Sequence, residues 1–127
     1  MTGPFIVISR TRAKPGRAEA YAAWCEQFVP LVEENEPRLL ALNVYESDDQ
    51  GSSVVVQVHP DAESMEYHLK LFAEKVSEVF DDVDVESVEL CGPPNPALTD
   101  WVCHGIEGLP VMQHPVHRAG FTRLQGA

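Results

Sequence analysis

The spacing of apolar residues changes several times along this sequence, and the order of these changes limits the fold more than any other feature. β-Branched residues dominate positions 4–12, which predicts a strand. Over residues 17–34 the apolar residues recur every three or four positions, as on one face of a helix. Pro30 lies inside this helix and predicts a kink or a restart. Pro37 predicts its end, because the residue before a proline avoids the helical conformation.

The alternation of elements continues to residue 91. Residues 38–46 and 54–59 predict two strands, joined by a turn rich in Asp and Gly. Asp61 is placed to cap the helix that follows. The apolar face of that helix contains Met65, His68, Leu69, Phe72, Val76 and Val79. Residues 83–91 alternate and predict a fourth strand. This order is that of the ferredoxin-like βαββαβ arrangement, an α+β fold with a four-stranded antiparallel sheet.

Composition divides the chain at residue 92. Residues 92–127 carry two acids and two bases, whereas the whole chain has a net charge of −11. They also hold five of the ten prolines and five of the eight glycines. We therefore predict a domain over residues 1–91 and an extension over residues 92–127, with a short helix over 97–104 and an extended piece over 110–113. Its many large apolar side chains predict packing on the body or on a partner subunit.

Net charge and cysteine content limit the partners. A charge of −11 argues against a nucleic acid and against an anionic membrane surface, since both bind proteins through Lys and Arg. No apolar run is as long as a spanning helix, and the first residues do not resemble a signal peptide. Cys25, Cys91 and Cys103 form no CxxC pair, which predicts reduced thiols and a cytoplasmic protein.

The first three predicted strands are apolar on both faces. In the first, Phe5 and Val7 alternate with Ile6 and Ile8. Two helices can cover only one face of a four-stranded sheet, so the other face would expose a broad apolar patch. We therefore predict a homodimer with two-fold symmetry, packed sheet to sheet.

Two segments resemble the antibiotic biosynthesis monooxygenase family. Residues 54–69 are similar to its third strand and second helix, joined by a short polar turn that is followed by Ser or Ala and often by a His. Residues 5–10, followed by Lys14-Pro15-Gly16-Arg17, are similar to its first strand and helix start. The resemblance covers residues 4–92 and implies a dimeric α+β barrel.

The resemblance implies a cofactor-independent monooxygenase that acts on a small aromatic compound, phenolic or quinoid. Where the family's polyketide oxygenases have a Trp that ends strand 3 and an Asn four positions before it, this chain has His59 and Val55. Two of the three positions used by haem-degrading members fall near Ser9 and at His68, which disfavours haem degradation. The alternative is a noncatalytic domain of the same fold that binds a small ligand or serves in a stress response.

His68 and His59 are the candidate catalytic residues. His68 lies on the inward face of the second helix, and an imidazole titrating near pH ~6.5 could deprotonate a phenol. The alternative for His68 is a histidine at the edge of the core, bonded to a backbone carbonyl. His59 ends a strand before Pro60 and either lines a pocket or is exposed.

The candidate substrate-binding residues are aromatic or polar. Trp24, Phe28 and Phe72 could form a platform for a flat ring, although such residues more often form the core. Arg10 could meet a carboxylate or a phenolate, and Asn43 is a further candidate. Acids near helix ends and turns are interpreted as solvated surface: Glu33, Glu34, Glu36, Asp81, Asp82 and Asp84.

A metal site is not predicted. His114 and His117 form an HxxH pair with His104 and Cys103 upstream, but the spacing does not match a tetrahedral zinc site. No phosphate-binding glycine loop or metalloprotease motif occurs. The sequence therefore predicts no cofactor and no metal requirement.

Overall fold

The computed structural model describes residues 4–49, 51–73, 79–104 and 108–123, with the side chains of residues 102–104 outside that description. The described strands are β1 (Phe5–Ala13), β2 (Ala41–Glu46), β3 (Ser52–His59), β4 (Val83–Cys91) and β5 (Val111–His114). The described helices are α1 (Ala18–Asn35), α2 (Ala62–Ala73) and α3 (Pro96–His104). The predicted order of strands and helices up to residue 91 is confirmed. The predicted helical position Val76 lies outside the described residues.

The sheet corrects the prediction of four antiparallel strands. In the described part of the chain it has five strands in the order β2-β3-β1-β4-β5. The pairs β1–β3, β1–β4 and β2–β3 are antiparallel, whereas β5 lies parallel to β4. A parallel neighbour needs a crossover connection, and the segment that contains α3 provides it. The fold is therefore α+β and ferredoxin-like, with a mixed sheet.

A register shift in β4 changes which of its residues face the helices. The pairing with β1 slips between Arg10 and Thr11, opposite Ser87 and Val85. This β-bulge inserts one residue, so the strict alternation expected over 83–91 is interrupted. As a result Val88, rather than Ser87, is buried, with 5% of its surface exposed.

Two proline positions explain the extent of α1. The helix continues through Pro30 to Asn35, so it does not restart there. Glu36, which precedes Pro37, has φ −126° and ψ 74°, outside the helical region. The strand predicted from residue 38 begins at Ala41, because Leu39 first closes a turn onto the carbonyl of Glu36. No described helix is long and apolar enough to cross a membrane.

The core lies between the helices and one face of the sheet. Phe5 and Val7 of β1 pack with Met65 of α2 and Leu90 of β4. Leu98 joins this cluster and is completely buried, which attaches α3 to the body. The predicted helix in the extension is thus confirmed over residues 96–104.

The end of the described chain is exposed. After β5, residues 115–123 have no regular secondary structure. Val116 is 69% exposed and Phe121 is 79% exposed, with the guanidinium of Arg123 over the Phe121 ring at 4.5 Å. The extension therefore packs on the sheet through β5 and then leaves large apolar side chains in solvent.

Candidate functional site

An apolar cavity of about 130 Å³ lies between the sheet and the helices. Trp24 and Phe28 of α1 stack in its wall with ring centroids 4.6 Å apart, and Phe72 of α2 meets Phe28 edge-on at 5.6 Å. All three predicted platform residues line this cavity. Its aromatic wall suits a flat, apolar ligand, because aromatic rings pack in offset and edge-on arrangements.

His68 lines the cavity and is held by a buried carboxylate. Its Nδ1 lies 2.8 Å from Oε2 of Glu36, and the two side chains are 5% and 1% exposed. Phe72 stacks on the imidazole at a centroid distance of 6.1 Å, and Phe28 meets it edge-on at 6.3 Å. The ring is thus fixed by a carboxylate on one nitrogen and by aromatic neighbours on its sides.

The other imidazole nitrogen is free to meet a ligand. In the described part of the chain no group bonds to Nε2 of His68. Among the described side chains, one fully buried nitrogen or oxygen atom lacks a hydrogen-bond partner, and it is Oε1 of Glu36. Nε2 of His68 also lacks a partner among them but is not fully buried, so it is open to the cavity. A carboxylate on Nδ1–H favours the tautomer with a basic Nε2 and stabilises the imidazolium that forms when it takes a proton.

Glu36 corrects the prediction of a solvated acid. Because Pro37 follows, α1 ends at Asn35 and Glu36 leaves the helical conformation. Its side chain turns inward, and the residue is 3% exposed. Asp82 is also buried, at 6% exposure, and it accepts hydrogen bonds from Nε and Nη2 of Arg17 at 2.9 and 2.6 Å. Both carboxylates are buried because each has a cationic or N–H partner that offsets the cost of leaving water.

His59 lies behind the cavity wall and not on it. It is completely buried, and its ring centroid is 6.0 Å from that of His68. Nδ1 lies 2.7 Å from Oγ of Ser64, and Nε2 lies 2.9 Å from Oε1 of Gln57. Burial, assisted by the charges of His68 and Arg38, lowers the pKa of His59 to about 3. With so low a pKa, His59 is a weak base and is poorly suited to take a proton from a substrate.

Gln57 is a cavity residue that the sequence analysis missed. It lies in β3 opposite Val7 and Leu42, both of which face the cavity, and it is 6% exposed. Its position two residues before His59 gives it the same side of the strand. That alternation was a usable signal, because a glutamine on the buried face of a strand needs a polar partner.

Tyr21 and its neighbours place hydroxyl groups at another part of the cavity. Thr11, Ser53 and Cys25 surround its phenol, and Oγ1 of Thr11 lies 2.5 Å from Oγ of Ser53. Burial raises the pKa of Tyr21 to about 12, so the phenol is a neutral group at physiological pH. Tyr21 and Thr11 line the cavity at its other end. Thr11 pairs with Ser53, which lies four residues before Gln57 along β3, a distance of roughly 13 Å.

Arg10 and Asn43 lie on the opposite face of the sheet. Arg10 pairs with Val54 across β3 and bonds Oε2 of Glu89 at 2.6 Å. Asn43 pairs with Val56 and is exposed. Neither lines the cavity, so the structure separates them from the other candidate residues.

The histidines of the extension form no described metal cluster. Among the described side chains, those of residues 4–49, 51–73, 79–101 and 108–123, no group of three His, Cys, Asp or Glu could hold an ion. Nε2 of His114 lies 3.8 Å from Oε1 of Glu89, and His117 is exposed. The side chains of Cys103 and His104 lie outside the described residues.

Comparison with known proteins gives relatives in structure only. No protein-family sequence profile matches the chain, and no curated protein matches it. The chain is similar to the crystal structure of MupZ from Pseudomonas fluorescens, with 17% identity, a TM-score of 0.78, and coverage of 95% of this chain and 96% of that one. That likeness spans the extension as well as the body.

Two further structures bear the family name met in the sequence analysis. One, from Bacteroides thetaiotaomicron, is provisionally named an antibiotic biosynthesis monooxygenase: 20% identity, TM-score 0.59, coverage 69% of this chain and 85% of that one. The other, from Chloroflexus aurantiacus and named in the same way, has 16% identity and a TM-score of 0.58, covering 73% and 95%. At these identities the likeness shows a shared fold, and at that level the resemblance over residues 4–92 is confirmed.

Proposed function

We propose that this protein is a cofactor-independent monooxygenase of the antibiotic biosynthesis monooxygenase type, acting on a small phenolic or quinoid compound. The observation that carries the proposal is the His68–Glu36 pair, with Nδ1 bonded to the carboxylate at 2.8 Å and the same imidazole lining an aromatic cavity. The shared fold with structures provisionally named as such monooxygenases supports it.

The first step is proton removal by His68. Nε2 of the imidazole takes a proton from the substrate, and Glu36 stabilises the positive charge that appears on the ring. The aromatic neighbours keep water away from the pair, which strengthens the interaction between the two charges. The product of this step is an electron-rich anion held against Trp24 and Phe28.

The second step is reaction of the anion with molecular oxygen. The carbon that lost its proton transfers electrons to O₂ and forms a peroxide with it. Loss of water then leaves a carbonyl, so that a CH₂ group and O₂ become C=O and H₂O. One oxygen atom enters the product, the other leaves as water, and the substrate supplies all the electrons. The proton held by His68 returns to the departing oxygen.

Oxygen uptake tests this function. With a panel of anthrones, whose ring CH₂ group becomes C=O, we expect one molecule of O₂ consumed for each molecule of substrate, measured with an oxygen electrode against the uncatalysed rate. Mass spectrometry after ¹⁸O₂ labelling should find one labelled oxygen atom in the product. Binding of these compounds, seen as quenching of the fluorescence of Trp24 and Trp101, which both line the cavity, without oxygen uptake would contradict the proposal and favour the noncatalytic ligand-binding alternative.

We also propose that the protein is a homodimer joined through the helix-free face of the sheet. This face carries Ile6 and Ile8 of β1 beside Val54, Val56 and Val58 of β3, all partly exposed in the single chain. Tyr45 of β2 adds a side chain that is 61% exposed. An apolar patch across three strands favours a second copy, because monomers seldom leave such surfaces in water.

Light scattering tests the dimer. The wild type is expected at twice the chain mass at micromolar concentration, and Val56→Glu at one chain mass, because two glutamates would meet near the centre of the proposed interface. Glu33→Gln, on the exposed surface of α1, is the control and should remain dimeric. A wild type at one chain mass would refute this assembly.

A further inference from the structure

We infer that the side-chain amide of Gln57 donates a hydrogen bond to the substrate oxygen on which negative charge develops, and that His59 holds the amide in that orientation. The inference rests on the proposed function, since the charge arises when His68 removes a proton. It assigns a catalytic role to Gln57 and a positioning role to His59.

The placement of the three residues supports this assignment. Gln57 and His68 both line the cavity, one from the sheet and one from α2. His59 lies behind Gln57 on the same face of β3, with its ring centroid 6.0 Å from that of His68. The base and the amide therefore meet at one end of the cavity, where a substrate could contact both.

The hydrogen bonds of His59 fix which end of the Gln57 amide faces the ligand. One tautomer satisfies both contacts: the Ser64 hydroxyl donates to Nδ1, and Nε2–H donates to Oε1 of Gln57. With Oε1 engaged, the NH₂ group points away from His59. No acceptor in the described part of the chain bonds this NH₂, and it is not among the fully buried unpartnered atoms, so it opens to the cavity.

The local structure holds His59 rigidly enough for this task. His59 and Ser64 are 0% and 3% exposed. The backbone N–H of Ser64 donates to Oδ1 of Asp61 at 3.0 Å, which fixes the first turn of α2 and with it the hydroxyl that His59 needs. A donor held in advance of reaction stabilises an oxyanion without reorganising, and removing one such donor typically lowers turnover by roughly 10²–10³-fold.

The experiment uses 4-nitrophenol as the probe, because its phenol and phenolate forms are distinguished by absorbance. Titrating it into the wild type across pH 5–9 gives the affinities for the two forms, and we expect preferential binding of the phenolate. Gln57→Glu keeps the acceptor for His59 and replaces NH₂ with an oxygen, while Gln57→Met removes the donor without adding charge. In both variants the preference for the phenolate over the phenol is expected to fall at least about tenfold. In the oxygen-uptake assay, the kcat of both variants should fall by a much larger factor than their KM changes.

Variants of His59 test the positioning role. His59→Leu should reduce the phenolate preference as the Gln57 variants do, whereas His59→Gln, whose amide can donate to Oε1 of Gln57, should keep most of it. Gln27→Glu makes the same amide-to-carboxylate change at an exposed position of α1 and should behave like the wild type. A purely structural role for His59 would lower stability in both variants and leave the preference of the folded protein unchanged, and this result would overturn that part of the inference.

The outcomes separate this inference from the proposed function. Unchanged phenolate preference and kcat in both Gln57 variants would overturn the inference even if oxygen uptake is observed. A wild type without preference for the phenolate, including one that binds neither form, would also overturn it. A preference that depends on Gln57, in a protein that consumes no oxygen, would support the amide's role and reject the monooxygenase.

Discussion

Replacing His68 with asparagine is expected to lower the rate of substrate oxidation by roughly 10²–10⁴-fold, the usual contribution of a general base. Asparagine places an amide N–H near the position of Nδ1, so Glu36 keeps a donor in place of the bond at 2.8 Å. The fold should therefore survive while the basic Nε2 is lost. Oxygen uptake under substrate saturation measures the rate, and urea unfolding followed by circular dichroism measures the stability.

A leucine at the same position provides the matched comparison. His68→Leu fills a similar volume but leaves the carboxylate of Glu36 buried without its partner, which typically costs about 3–5 kcal/mol. Both variants should be inactive, and only the leucine variant should be strongly destabilised. If the asparagine variant unfolds, while its folded fraction binds ligand as the wild type does, His68 is a structural residue and the proposed chemistry fails.

The fold follows from the sequence wherever the apolar period is long enough to identify an element. The apolar residues of 18–35 recur every three or four positions, as in a helix, whereas those of 5–13 do not. The later segments up to residue 91 also differ in apolar spacing from their neighbours, so the βαββαβ order can be predicted from the sequence. β5 has only four residues, and its parallel pairing with β4 depends on where α3 places it. Four residues carry no periodic signal that could distinguish a fifth strand from an extended loop.

The candidate site is less recoverable for two physical reasons. β1 to β3 are apolar on both faces, so alternation alone cannot say which face the helices cover. The candidates Arg10 and Asn43 lie on the face away from the cavity. The partner of His68 is 32 positions away in sequence. This partner, Glu36, points inward because its own backbone leaves the helical conformation just before Pro37. The spacing of apolar residues gives no sign of that change. Trp24, Phe28 and Phe72 were found because an aromatic helix face must turn inward.

Acidification from pH 6.5 to 3 is expected to cost the folded protein roughly 4–5 kcal/mol through His59 alone. Burial lowers the pKa of His59 to about 3 in the folded state; the charges of His68 and Arg38 act in the same direction, and that of Asp61 opposes them. In the unfolded chain His59 takes a proton near pH ~6.5. The unfolded state therefore binds more protons across this window, and the stability present above pH 6.5 is lost as the pH falls toward 3.

Urea unfolding at half-unit steps between pH 7 and pH 3 measures this dependence, and a His59 variant isolates it from the carboxylates that titrate in the same range. Glu89, whose pKa is lowered chiefly by its hydrogen bond from Arg10, also makes the protein less stable in acid, but it does so equally in the wild type and in His59→Gln. The charge of Asp61 acts on His59, so its effect is measured together with that of His59. We expect His59→Gln to be less stable than the wild type at pH 7 and to lose markedly less on acidification. His117→Gln, at an exposed position, should retain the wild-type slope. Parallel pH profiles for the wild type and His59→Gln would mean that His59 takes a proton at the same pH in the folded protein as in the unfolded chain. The lowered pKa would then be wrong, and below pH ~6.5 a charged His59 could not act as the neutral clamp on Gln57.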